Sequence, residues 1–231
     1  MNPKRKIFFA VALAGLVNGA PGVSAATLSD WAEGARVADL FVSAGIPVKS
    51  FLQPSTKMTP NMLEGDVLLA DLREAGVQPQ RGELIVSWYD PKTVYIDRVI
   101  GLPGDRIALR AGHIVLNGAE IARAPAGTFE YDDLGRSAKR SLFVEALPGA
   151  RPYKIARMIE GGGFLDDIPE TTVAPGRLYL LGDNRDNSVD SRVASRGQVP
   201  IESVIGRIVY RLRPNPGWLA PRDSVPGLPG D

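Results

Sequence analysis

The sequence predicts a mainly β protein with one N-terminal helix and a smaller β lobe inserted into a larger core. Three observations point that way. Glycine (25) and proline (19) punctuate the chain at short intervals, which suits many tight turns and works against long helices. Short runs rich in Val, Ile, Leu and Tyr recur between those turns, with strand rather than helix length. Only residues 27–45 carry clear helix signals. With 231 residues, 44% of them hydrophobic, the chain can build one substantial core.

Residues 1–26 read as a secretory signal. Lys4-Arg5-Lys6 is the basic region, Ile7 to Val17 is uncharged and apolar, and Val23-Ser24-Ala25 fits a small-x-small cleavage site. The alternative is an uncleaved membrane anchor, for which the run is short against the roughly 20 residues a span needs. Cleavage before Ala26 would remove Lys4, Arg5 and Lys6 and leave a slightly acidic chain.

The helix block spans residues 27–46. Thr27 or Ser29 can cap it, Asp30 and Glu33 suit its first turn, and Gly45 lies past its end. Trp31, Val37, Leu40, Phe41 and Ala44 share one face. The polar face is not strongly basic, so the helix is expected to pack on the domain rather than lie on a membrane surface.

The core is assigned to residues 47–105 and 177–212. Pro54 and Pro60 keep residues 52–60 extended or turned. Strands follow at 67–70, 84–89 and 94–100, each bounded by Gly-containing turns. Asp97 and Arg98 interrupt the third, and a charge in a buried strand is costly unless paired. Residues 106–176 read as the inserted lobe, with short strands at 107–109 and 114–116 and then a polar, Gly-rich stretch. Strand 178–181 leads into the loop 182–192, and strand 204–212 completes the core. The Pro- and Gly-rich tail, 213–231, is expected to be loose.

Composition excludes several functions. A net charge of +1 gives no footprint for nucleic acid. With no cysteine there is no disulfide, zinc-thiolate site or cysteine nucleophile. The single histidine, His113, sits in an apparent hairpin at 111–118 and reads as structural, which disfavours a Ser-His-Asp triad and excludes a two-His metal site. No metal or cofactor is implied. The loop 182–192 has more Asp, Asn, Arg and Ser than a plain turn requires, directly after a buried strand, and so reads as a candidate site.

Three segments resemble one family. Gly182-Asp183-Asn184-Arg185-Asp186-Asn187-Ser188-Val189-Asp190-Ser191-Arg192 resembles the last signature box of the type I signal peptidases. Tyr95-Ile96-Asp97-Arg98-Val99-Ile100-Gly101-Leu102-Pro103-Gly104-Asp105 is similar to the box carrying their general-base lysine. Pro54-Ser55-Thr56-Lys57-Met58-Thr59-Pro60 is similar to the nucleophile box, Pro-Ser-x-Ser-Met-x-Pro. Arg81-Gly82-Glu83, Val199-Pro200 and Ile205-Gly206-Arg207 match too, so the resemblance runs from about residue 50 to 212 in order. It implies an antiparallel β catalytic core with an inserted β lobe. It also implies cleavage of signal peptides after Ala-x-Ala, on the outer face of the cytoplasmic membrane, by a serine–lysine dyad.

Carried over residue by residue, the dyad is missing. The nucleophile position holds Lys57 and the base position holds Asp97. Ser55 matches the oxyanion-hole serine and Ser188 the serine that orients the base. The family fold sets the two dyad positions face to face, so Lys57 and Asp97 are expected to form an ion pair across the cleft, with independent exposure to solvent as the alternative. A separation beyond about 6 Å would exclude pairing. Asp183, Asp190 and Arg192 are expected to brace the loop against neighbours such as Arg98.

The expectation is therefore a signal-peptidase-like protein, exported to the periplasm or the outer membrane face, without peptidase activity. It would bind signal-peptide-like segments or an active signal peptidase, with a membrane-surface contact also possible. Leu52 and Pro54 would offer an edge for strand addition, and the surroundings of Met58 and Ile96 would take small side chains. One alternative is a structural or assembly subunit that binds no peptide; the other is an active serine endopeptidase with Ser55 as nucleophile and Lys57 as base. That dyad needs Lys57 neutral, whereas a facing carboxylate favours the charged amine.

Overall fold

The computed structural model describes residues 27–132, 135–158 and 163–228. The segment 1–26, where the export signal is expected, lies outside them. Helix α1 (Leu28–Ser43) starts at Thr27 because a capping box forms there. Thr27 Oγ1 accepts from the Asp30 N–H at 3.2 Å, and the Asp30 carboxylate accepts from the Thr27 N–H at 2.9 Å. Val37 and Phe41 bury themselves against Tyr210 and Trp218, so the helix packs on the sheet. Gly34 permits the close approach: a Cβ there would come within 2.6 Å of the Leu212 carbonyl oxygen. Trp31, placed by periodicity on the buried face, is 41% exposed, with the Arg213 guanidinium 4.3 Å from its ring. Among the described residues, no helix is long and apolar enough to cross a membrane.

The described residues form fifteen strands. The main sheet contains β1 (Val48–Leu52), β2 (Val67–Asp71), β3 (Leu84–Asp90) and β4 (Thr93–Gly101). Between β4 and β12 lie β5 (Arg106–Arg110), β6 (His113–Leu116), β7 (Ala119–Glu120), β8 (Ala122–Asp132), β9 (Ser137–Ala146), β10 (Tyr153–Arg157) and β11 (Ile168–Thr172). The sheet is completed by β12 (Arg177–Leu181), β13 (Val199–Pro200), β14 (Val204–Arg213) and β15 (Gly217–Trp218). Its order is β1-β2-β14-β3-β4-β12-β13, with β15 on β14, and its ladders are antiparallel. Strand β1 is an edge. The intervening strands form two smaller sheets, β11-β5-β6-β7 and β10-β9-β8.

One apolar cluster ties these smaller sheets to the main one. Ile107, Ile114, Phe143 and Ile155 pack with Ile100, Tyr179 and Leu181. A second cluster, with Met58, Met62, Leu68, Leu84 and Ile96, lies under the main sheet.

Two expectations are corrected. The stretch after residue 116, read as polar and Gly-rich, contains strands β7 to β11. In β9, exposed Ser137, Lys139 and Ser141 alternate with buried or half-buried neighbours, and the solvent face hides the strand from a search for apolar runs. The tail is not loose through residue 228. Trp218 pairs with Tyr210, Val225 is buried, and the Ser224 and Pro226 carbonyls accept hydrogen bonds from Arg207 and Arg73. Apolar side chains and two arginines anchor a segment whose Pro and Gly content suggested mobility.

Candidate active site

Two segments meet at the candidate site. The first descends from β1 through residues 53–62. Gln53 fixes it, donating from its backbone to Asp66 O at 2.8 Å and from its side chain to Ser55 O at 2.7 Å. A 3-10 turn at Thr56–Met58 follows, drawn inward because Met58 and Met62 are completely buried.

The second is the loop 182–192, which holds that turn by its backbone. The Asn184 N–H donates to Lys57 O at 2.9 Å, and its side-chain amide donates to Thr56 O at 3.1 Å. Asn187 donates to Thr56 Oγ1 at 2.8 Å, and Asn61 donates to Asp183 Oδ2 at 2.7 Å.

Forked ion pairs shape the loop. Arg98 donates to both Asp183 oxygens, at 2.7 and 2.6 Å. Arg192 donates to both Asp190 oxygens, at 2.9 and 2.8 Å, and also to Arg185 O at 2.7 Å. Arg185, itself buried, forks onto Glu145 of β9. Burial drives the Asp190 carboxyl upward, but Arg192 outweighs it and leaves Asp190 below the usual carboxylate range. The same contest, with Arg185 as the cation, lowers Glu145.

At the centre, Lys57 Nζ lies 2.6 Å from Asp97 Oδ1, donates to Val189 O at 3.3 Å, and sits 4.4 Å from the centre of the Tyr95 ring. Asp97 is fully buried. A second cation faces it: Arg196 Nη2 stands 3.7 Å from Asp97 Oδ2. Arg196 also donates to Ser87 Oγ at 2.8 Å and to Trp88 O at 3.1 Å, beside the stacked pair Tyr89 and Tyr95. Burial lowers the pKa of the Arg196 guanidinium, with the Asp97 charge opposing.

The structure therefore brings Lys57 and Asp97 together but does not place every predicted residue in the cleft. The Ser188 hydroxyl is buried with no hydrogen-bond partner among the described residues and does not reach Asp97. Packed against Gly182, it leaves the contact with the charge pair to the neighbouring Val189 carbonyl. Met58 and Ile96 do not line a groove: both are core residues, 0% and 4% exposed, because they face the apolar cluster under the sheet. Leu52, 60% exposed, and Pro54 do lie open beside the β1 edge. Ser55 is half-buried and its side chain makes no capping hydrogen bond. No cluster of His, Cys, Asp or Glu among the described residues could hold a metal.

The profile of the family described as signal peptidase, peptidase S26, matches residues 34–213. The chain belongs to that family. It is 38% identical over 140 residues to a signal peptidase I of Rickettsia typhi, an overlap of 58% of this chain and 52% of that protein. A signal peptidase I of Pseudomonas fluorescens is 32% identical over 184 residues, covering 69% of this chain and 63% of its own length. The chain thus spans about half to two thirds of the relatives it matches. A crystal structure of a signal peptidase I from Enterococcus faecalis shares 23% identity, with a TM-score of 0.33, over 56% of this chain and 96% of that one.

Within this signal peptidase fold, sequence reasoning missed Arg196. It is a single arginine in a polar loop, with no periodicity to say which way it points. The tyrosines were more accessible. The β3–β4 register pairs Ser87 with Tyr95, and strand alternation then sets Ser87, Tyr89, Tyr95 and Asp97 on one face.

Proposed function

We propose that this signal peptidase family member does not hydrolyse peptides and instead binds signal-peptide-like segments. The site of action would be the outer face of the cytoplasmic membrane. One observation carries the reading: the buried Lys57–Asp97 pair, 2.6 Å apart, occupies the positions where the family resemblance expects a serine and its base. A lysine amine attacking a peptide carbonyl would form a stable amide and stop after one turnover. A carboxylate held between two cations is a poor acceptor for a hydroxyl proton. Peptide binding is supported by β1, an edge strand continued by exposed Leu52 and Pro54, to which an extended segment can add by backbone hydrogen bonds.

The competing reading keeps activity through Ser55 and Lys57. Its supporting observation is the uncapped, half-buried Ser55 side chain, two residues from Lys57. Incubating the purified protein with a preprotein peptide ending its signal in Ala-x-Ala separates the two. The pseudoenzyme reading expects no product, together with calorimetric binding of the intact peptide. Cleavage that disappears in Ser55→Ala would overturn it. No cleavage and no binding would leave a structural subunit.

A further inference from the structure

A cavity of about 580 Å3 lies beside the Arg98–Asp183 brace, and neither Lys57 nor Asp97 lines it. Neighbouring strand residues point to opposite faces, and while Asp97 meets Lys57, Arg98 and its cross-strand neighbour Leu84 line this cavity. The half-buried residues Trp218 to Pro221 supply an apolar wall over core residues Leu84 and Ile208, and residues 149–154 before and within β10 supply another wall.

Its charge is unbalanced. Six cations line it: Arg81, Arg98, Arg151, Lys154, Arg207 and Arg211. Four are matched internally, Arg81 by Asp105 at 2.9 Å, Arg98 by Asp183 at 2.6 Å, Arg207 by Glu83 at 2.7 Å and Arg211 by Asp66 at 3.0 Å. Arg151 and Lys154 are exposed and meet no carboxylate among the described residues. Two uncompensated positive charges therefore stand beside an apolar wall, in a volume suited to a small organic ligand.

We infer that this cavity binds a phosphate-bearing amphipathic anion, its head group on Arg151 and Lys154 and its apolar body against Trp218 and Leu219. A phosphate monoester carries close to two negative charges near neutral pH, which matches the two free cations, whereas a carboxylate matches one. The arginine fork also suits phosphate oxygens. This site is independent of peptide binding at β1.

Trp218 is the natural reporter, since Trp31 and Trp88 lie outside the cavity and can be replaced by Phe. Titration of Trp218 emission with phenyl phosphate, inorganic phosphate and benzyl alcohol tests the pairing of head group and apolar body. Phenyl phosphate is expected to saturate at least about tenfold more tightly than either probe that lacks one half of it. The Arg151→Glu, Lys154→Glu double variant is expected to lose at least about tenfold in that affinity with an unchanged melting temperature, because neither side chain has an internal partner. Equal binding by the double variant, or no saturable change, overturns the proposal. Filling the cavity through Ala220→Trp must abolish binding as well, and retention would overturn the assigned place. Vesicles of phosphatidylcholine with and without phosphatidic acid then distinguish the source. Charge-dependent co-sedimentation lost in the double variant supports a lipid head group, and phenyl phosphate binding without it supports a soluble ester.

Discussion

Lys57 and Asp97 meet at 2.6 Å, and the carboxylate has no solvent exposure. Their environments differ, because Asp97 also faces Arg196 at 3.7 Å. Removing Lys57 leaves Asp97 one cation, whereas removing Asp97 leaves two cations facing each other. Breaking a buried pair costs about 3–5 kcal/mol, so Lys57→Met is expected near the lower end and Asp97→Leu at or above the upper end. Urea unfolding measures both. Equal costs would mean that Arg196 contributes nothing.

Restoring the family's pattern gives a signed test of Arg196. In Lys57→Ser, Asp97→Lys, cleavage of an Ala-x-Ala peptide is expected to return. Arg196 would then face an amine, and a nearby like charge lowers an amine's pKa. Adding Arg196→Gln should move the acidic midpoint of the pH–rate profile upward by about one unit. An unmoved midpoint removes Arg196 from the site's electrostatics.

Acid should unfold the protein through its depressed carboxylates. Glu145 and Asp190 titrate below their ordinary values in the fold. Their stabilisation is complete above the unfolded values of about 4 and is lost as pH falls through the lower folded values. Asp66 has the opposite sign: burial raises its pKa, so its contribution is present below the unfolded value and lost as pH rises through the folded one. Arg192→Met should lower stability at neutral pH by about 3 kcal/mol and flatten the acid limb, since Asp190 loses its counter-ion. A parallel curve in melting temperature against pH would contradict this.

Gly182 is needed for closeness. A Cβ there would lie 2.6 Å from Ser188 Cβ and 2.8 Å from Lys57 O. Gly182→Ala should destabilise by about 1–3 kcal/mol, as overpacking does, and Ser188→Gly in the same chain should recover part of that loss. No recovery in chemical denaturation would place the strain elsewhere.

Strand addition at β1 depends on the ligand's backbone amides. A signal-peptide segment N-methylated at alternate residues, which loses donors on one edge, should bind at least about tenfold more weakly by calorimetry than the unmodified peptide. Unchanged affinity would point away from the edge.

The helix start and the core strands were legible because their causes are local. Thr27 and Asp30 make their own box, and a strand buried on both faces, such as β12, reads as unbroken apolar sequence. Strand β9 of the smaller sheets hides behind a wet face, whereas β5 and β6 are apolar enough to read, and the tail depends on distant arginines. For the site, motif resemblance brought Lys57 to Asp97, but strand parity decided the rest. Ile96, next to Asp97, necessarily faces the core, and Met58 follows the turn inward. Arg196 had no local signal, since its position depends on Ser87, Tyr89 and Tyr95 from another hairpin.

The hydrogen bonds of Asn184 bear on how such sequences are read. The two that reach the segment 53–62 end on main-chain oxygens, those of Thr56 and Lys57, which every amino acid carries. Those two bonds therefore form whatever side chain stands at 57. A fingerprint taken from residues 182–192 diagnoses architecture, and assigning turnover to any chain that bears it requires inspecting the residue those bonds ignore.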